Sequence, residues 1–418
     1  MRRKPYPVTE LTGGLQVSRD ALLILDKESP NILNCRFDEG ILKKDWALLP
    51  FTTAAVLGTP MWFDYYYQAD GDDFLLLLTT TSAYKFNKTT DEWDDITLGT
   101  LVDNCEAAWT ASANVTSTAD TTVYKVGTKS AKHVIAAAFT TGLASYKDHA
   151  TTVDLTAATK MHMWARSSVT LAAGDIQFLM DDTAACVSPL ETIDFPALTA
   201  DTWTRVSLTI ATPAALGAVK SWGLNVAVDK GACTIYLDDI RAVTEFTGTV
   251  QNRFSGCNMN DYYIITNGKD VMQKYNGTAI SALGGTPPIS KYCYVFYNYL
   301  VCVGTTETGT AYPQRVRWSD LGDPETWTGG TSGYVDLVDT ADWCVAFKIL
   351  GGKSYIFKER TIWELAYVGG TTVFEPRLRI DGIGTYAPDS IGYLSDELIF
   401  KGNDNFYRFD GTRVESFS

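Results

Sequence analysis

The chain has little positive charge for its size: 35 Lys and Arg stand against 49 Asp and Glu, a formal net charge of −14. A surface that grips nucleic-acid phosphates needs clustered Lys and Arg, so tight backbone binding is excluded as its main task. Passage of nucleic acid without sticking is not excluded. Histidine is scarce: His133, His149 and His162 all fall in one central segment, with no nucleophile motif beside them. The eight cysteines (35, 105, 186, 233, 257, 293, 302 and 344) are scattered, with no CxxC pair and no His at ligand spacing. That argues against a disulfide framework or a zinc site and leaves them as small buried hydrophobes. No run approaches the ~20 apolar residues of a membrane span. The basic start Met1-Arg2-Arg3-Lys4 leads into Pro5, Pro7 and polar residues rather than an apolar stretch, so it does not read as a secretory leader, and synthesis in a cytosol is expected. Gly284-Gly285-Thr286-Pro287-Pro288 lacks the Lys and the following helix of a phosphate loop.

Aromatics are abundant: 22 Tyr, 18 Phe and 11 Trp favour pleated sheets, on which rings pack. A phrase recurs through the chain, as Tyr84-Lys85-Phe86-Asn87, Gln273-Lys274-Tyr275-Asn276-Gly277 and Phe406-Tyr407-Arg408-Phe409-Asp410-Gly411, each time a few residues after an apolar strand (74–78, 262–265 and 398–400). Further hairpins are expected from 294–296 with 300–303 and from 354–357 with 361–365, so five hairpin units are visible. Tyr355 and Ile399 lie 44 residues apart, within the roughly 40–50 residues of a four-stranded propeller blade. Leu76 and Ile264 lie 188 apart, and removing the 143 residues of 103–245 leaves 45. The flanks therefore read as one repeat array and the middle as a guest.

Within 103–245 Ala and Thr become frequent and the hairpin phrase vanishes. Short alternating runs at 131–135, 161–166, 176–180, 203–210, 223–228 and 234–243 predict a two-sheet sandwich. The fold class is all-β: a β-propeller-type repeat domain interrupted by a jelly-roll β-sandwich. Expected domains are an N-terminal lead-in or clamp over 1–60, a discontinuous propeller over 61–102 and 246–418, and the insert over 103–245. Acid pairs at Asp94-Asp95, Asp181-Asp182 and Asp238-Asp239 raise glycoside hydrolysis, which needs two carboxyls at a set distance. All three sit at turns or strand ends, where Asp serves the backbone, so the chain reads as non-enzymatic, without a catalytic or cofactor site.

Glu106-Ala107-Ala108-Trp109, Gly127-Thr128-Lys129-Ser130-Ala131-Lys132, Trp203-Thr204-Arg205-Val206 and Ile235-Tyr236-Leu237-Asp238-Asp239-Ile240 occur in an order that resembles the jelly rolls of carbohydrate-binding modules. That resemblance implies a structural calcium held by Glu106 with Asp238 or Asp239 and backbone carbonyls, the hard oxygen set such an ion needs. Glycan binding would need exposed aromatics, whereas Trp109, Trp164, Trp203 and Trp222 read as core.

In the flanks, Gly13-Gly14-Leu15-Gln16, the lead-in from Ser29 to Trp46, Arg317-Trp318-Ser319-Asp320-Leu321-Gly322-Asp323-Pro324-Glu325-Thr326-Trp327 and Tyr355-Ile356-Phe357-Lys358-Glu359-Arg360-Thr361-Ile362-Trp363 resemble the short-tail hub or nozzle proteins of tailed bacteriophages, including packaged-DNA stabilisation proteins. Ile383-Gly384 and Ala387-Pro388 fit the same order. The resemblance implies a virion tail protein below the portal and its adaptor, six copies ringing the DNA exit channel, and genome retention and ejection as the setting. An acidic lumen would repel DNA and let it slide. The alternative expectation is a virion receptor or glycan-attachment protein acting through the jelly roll.

Overall fold

The computed structural model describes residues 56–417 and, ahead of them, the short strands Gly14–Leu15, Glu28–Ser29, Cys35–Asp38 and Ile41–Lys44. Gly14–Leu15 pairs in parallel with Glu28–Ser29, and Cys35–Asp38 antiparallel with Ile41–Lys44. The strand expected over 21–25 and most of the lead-in lie outside the described residues. The chain divides into two compact units, Met1–Thr53 and Ala54–Ser418, and the second holds all that follows. Among the described residues no helix is long and apolar enough to cross a membrane.

Five four-stranded antiparallel sheets succeed one another, each a simple up-and-down meander. The first comprises Pro60–Tyr67, Asp73–Thr79, Ala83–Asn87 and Glu92–Asp95. The second comprises Ser255–Met259, Tyr262–Thr266, Gln273–Tyr275 and Ile280–Ala282. The third, fourth and fifth open at Ile289–Phe296, Cys344–Leu350 and Gly392–Leu394. Leu76 and Ile264 both lie on second strands, so the 45 residues left after removing the insert measure one sheet-to-sheet period.

Second strands read as unbroken apolar runs because both of their faces are covered. Tyr263 and Ile265 pack toward the first sheet, with Tyr66 and Leu76, while Ile264 packs toward the third, with Leu300 and Cys302. Val301 and Val303 turn the other way, onto Phe347 and Ile356 of the fourth sheet. Tyr355 and Phe357 meet Leu398, Phe400 and Phe409 of the fifth. The period-two alternation of a strand thus joins the second, third and fourth sheets each to a neighbour on both sides.

The connection between the second and third sheets runs hard against the segment Arg317–Trp327 of the third. A Cβ on Gly285, whose φ is +72°, would lie 1.4 Å from the Glu325 carbonyl oxygen. The Glu325 carboxylate accepts from the Gly284 N–H at 2.6 Å and from Lys274 Nζ at 2.7 Å. Arg317 of the same segment pairs with Glu307 and donates to the Trp327 carbonyl at 3.1 Å.

Between the first and second sheets stands a two-layer sandwich. One layer orders Val115–Asp120, Ser130–Ile135, Cys233–Val243, Lys160–Ser167 and Thr204–Thr209, and the other Thr110–Ala111, Gly142–Val153, Val219–Val226, Ile176–Asp181 and Glu191–Asp194. Met161, Met163, Ile235 and Leu237 of one layer share a core with Phe178, Met180, Trp222 and Leu224 of the other. The strand Gly99–Asp103 pairs with Cys233–Val243, so sandwich pairing begins at Gly99, ahead of the expected boundary at 103. Gly99 lies so close to that strand that a Cβ would stand 2.1 Å from the Ala242 carbonyl oxygen.

Candidate functional site

Alternation turns His162 and Trp164 outward from the strand whose Met161, Met163 and Ala165 fill the sandwich core. Arg205, cross-strand from Trp164, points the same way. These residues meet the end of the first sheet, where Asp95 is 5% exposed. Its Oδ2 accepts from Arg205 Nη2 at 2.9 Å and from His162 Nδ1 at 2.8 Å, while Oδ1 accepts from the Thr97 N–H. His162 Nε2 lies 2.8 Å from Glu245 Oε1, which also accepts from Ser207 Oγ. Arg205 Nη1 reaches Asp239 Oδ2 at 3.0 Å, and Arg241 Nε completes the chain at 2.8 Å.

Burial alone would raise the Asp95 carboxyl, but Arg205 and His162 outweigh it and hold the group well below the usual carboxylate range. Burial would lower His162, yet its bonds to Asp95 and Glu245 prevail and raise it. Glu245 is lowered, burial again losing to His162 and Ser207. Both ring nitrogens of His162 face carboxylates, so it acts as a structural cation. The network ties three sandwich strands to the first sheet and to the exit segment at Glu245.

Beside it lies a cavity of about 360 Å³. Trp164 forms one wall, flanked by Lys125 Nζ at 5.0 Å from the ring centroid and by the Arg205 guanidinium at 5.8 Å. Its charges are largely matched in place, Lys125 with Glu92 and Arg241 with Asp239.

Of the residues expected to hold calcium, Glu106 and Asp238 meet one loop and Asp239 joins the junction network. Glu106 accepts from the Thr128 and Lys129 N–H groups and from Thr128 Oγ1, and Asp238 Oδ2 from the Lys125 and Val126 N–H groups, so both brace the loop 125–129. Asp239 sits at a β-bulge with φ +47° and is taken by Arg205 and Arg241. Among the described residues no cluster of three or more His, Cys, Asp or Glu could hold a metal. Two carboxylates met by N–H donors do not fit the oxygen-rich shell of calcium. Asp238 Oδ1 is buried without a partner, and burial pushes this carboxyl up to about 6.

The other candidates have local duties. Asp181 caps the turn at Thr183 and Ser188, and Asp94 accepts from Asn87. His133 is fully buried; its Nδ1 pairs with Ser145 Oγ at 2.8 Å, its Nε2 has no partner, and burial drives its pKa down to about 3. Without an acid or access to solvent that pair is no nucleophile. Trp109 and Trp222 are buried, both donating to Asp103 Oδ2, and Trp164 is 6% exposed. Trp203 packs edge-on against Tyr236. Sequence reasoning missed the Asp95–Arg205–His162–Glu245 network; its one signal was ionisable residues at outward positions of strands with apolar inner faces.

No family model and no curated protein matches the chain. Solved structures similar to part of it include the family 11 carbohydrate-binding module of the cellulosomal cellulase Lic26A-Cel5E of Clostridium thermocellum, at 10% identity and TM-score 0.26, covering 35% of this chain and 94% of that one. The CBM22-1 xylan-binding domain of Paenibacillus barcinonensis Xyn10C matches at 12% identity and TM-score 0.25, covering 37% and 99%. A family 30 carbohydrate-binding module matches at 14% identity and TM-score 0.24, covering 36% and 86%. Scores of this size carry no argument about function, and the two-layer sandwich stands on its own strand order.

Proposed function

We propose that the chain is a structural subunit of a virion tail, a hub or nozzle below the portal and adaptor, whose meander sheets form a β-propeller and whose six copies ring the DNA exit channel. The observation that carries this reading is the succession of five four-stranded sheets, stacked face to face in chain order and broken once by a sandwich. Four-stranded sheets in succession are what the propeller implied by the tail-protein resemblance is built from. The Arg317–Trp327 motif behind that resemblance is spent on fixing one sheet to the next, as suits a scaffold.

The charge of −14 supports a lumen that lets DNA slide. Attachment to glycans through the sandwich is the weaker reading, since Trp109, Trp164 and Trp222 are buried and Trp203 packs on Tyr236. Electron microscopy of the purified full-length chain, with its mass in solution, tests the proposal. Six-fold rings with an acidic channel are expected; a monomer at all concentrations, or a channel lined by Lys and Arg, would overturn it.

A further inference from the structure

Away from the sandwich junction, a cavity of about 350 Å³ lies where the first strands of several sheets converge. Trp62 comes from the first sheet, Tyr292 and Tyr294 from the third, and Lys348 from the fourth. Arg253 and Asp389, from the segments ahead of the second and fifth sheets, also line it. An adjoining cavity of about 360 Å³ shares Arg253, Tyr292 and Asp389 and adds Lys291.

The local charge runs against that of the chain. Three cations face one carboxylate in a protein of net charge −14. Arg253 Nε stands 3.6 Å from Asp389 Oδ2, but both side chains are more than half exposed, and such a pair is weak. The ammonium of neither Lys291 nor Lys348 makes an ion pair or hydrogen bond among the described residues. Lys348 is partly withdrawn from water: desolvation lowers its ammonium, with Asp389 pulling the other way. A desolvated cation without a bonded partner gains more from an anion than a solvated one does.

The walls are aromatic and fixed. Tyr294 stacks on Phe347 at 5.0 Å, and Trp62 Nε1 is held by Tyr263 Oη at 3.1 Å. Rigid rings beside unpaired cations suit a ligand with a flat or cyclic body and an anionic end. The volume falls within the roughly 300–1,000 Å³ of small-molecule sites.

We propose that this cavity binds a small phosphate monoester carried on a ring, a nucleoside monophosphate or a sugar phosphate, with the phosphate between Lys348, Arg253 and Lys291 and the ring against Trp62, Tyr292 and Tyr294. All the residues named lie on this one chain, so the binding test needs no second copy to supply a contact.

Isothermal titration of the full chain with thymidine 5′-monophosphate, glucose 6-phosphate, inorganic phosphate and thymidine tests it, and the first two probes separate the two sources. One monophosphate should bind saturably below about 1 mM, with inorganic phosphate and thymidine at least about tenfold weaker. Lys348→Met and Arg253→Gln should each weaken that binding about tenfold, as loss of one charge-assisted contact does, with the melting temperature unchanged. The proposal falls if neither monophosphate saturates, if inorganic phosphate binds as well as both, or if neither substitution moves the affinity.

Discussion

Replacing Arg205 with Met removes the one cation shared by Asp95 and Asp239 while keeping most of the side-chain volume. The two carboxylates it serves are each 5% exposed, so water cannot replace it. Breaking a buried pair in this way costs about 3–5 kcal/mol, because a buried charge is left without compensation. Two features pull the cost toward the lower end: Asp95 keeps His162 and the Thr97 N–H, and Asp239 keeps Arg241 Nε. Loss of the guanidinium over Trp164 adds about 0.5–1 kcal/mol, giving about 3–4 kcal/mol in all. Urea denaturation at pH 7 and at pH 4.5 reads it. Without Arg205 the Asp95 carboxyl titrates higher, so the deficit should shrink as it takes up a proton at the lower pH. Asp95→Asn in the same background should recover part of the loss. A deficit below about 1 kcal/mol, or one that grows on acidification, would refute a desolvated ion-pair network at this junction.

Asp238→Asn should stabilise the protein at pH 7 by about 1–3 kcal/mol. A carboxyl raised to about 6 in the fold costs stability as pH climbs from its unfolded value through that point, and the amide escapes this. Millimolar calcium should leave the wild-type melting temperature unmoved, and a calcium-dependent rise abolished by Asp238→Asn would restore the metal site. Histidine NMR should find His133 neutral at pH 5 and His162 still charged above pH 6.5, the ordinary value of the ring. The His162 contribution is then full in mild acid and fades as pH rises through its folded value, whereas that of His133 is full above 6.5 and fades toward 3. Gly285→Ala should lower the melting temperature sharply, since the new Cβ must displace the backbone at Glu325. A change of less than about 1 kcal/mol would mean that this crossing yields readily.

What the sequence disclosed follows from which faces are covered. Residues 262–265 and 355–357 were legible as strands because neighbouring sheets bury both of their sides, and 74–78 because the second sheet covers one side and Tyr84 and Trp93 the other, leaving runs that β-branched, aliphatic and aromatic residues fill. The strands Val115–Asp120 and Gly142–Val153 escaped notice, being polar and largely uncovered. The short outer strands Ile280–Ala282 and Val414–Ser416 carry too few residues for a period to register. At the candidate site, Asp95 and Arg205 are 110 positions apart, and nothing local to either announces the other. Alternation alone would send Asp238 and Asp239 to opposite faces; the bulge and its positive φ decide where Asp239 goes, and no spacing rule foresees that. Lys348 passed unnoticed inside an otherwise apolar strand.

The sandwich leaves the first sheet after Asp95 and returns at Glu245, with Gly99 paired to Val243 and the Thr244 N–H bonded to the Leu98 carbonyl at 2.7 Å. One step further, the Phe246 N–H reaches back to the Thr81 carbonyl of the first sheet. The chain thus completes a detour of more than a hundred residues and resumes within a hydrogen bond of where it departed. An excursion that closes on itself lays no strain on the route it interrupts. With entry and exit side by side, the order of the sheets does not depend on what stands between Gly99 and Val243.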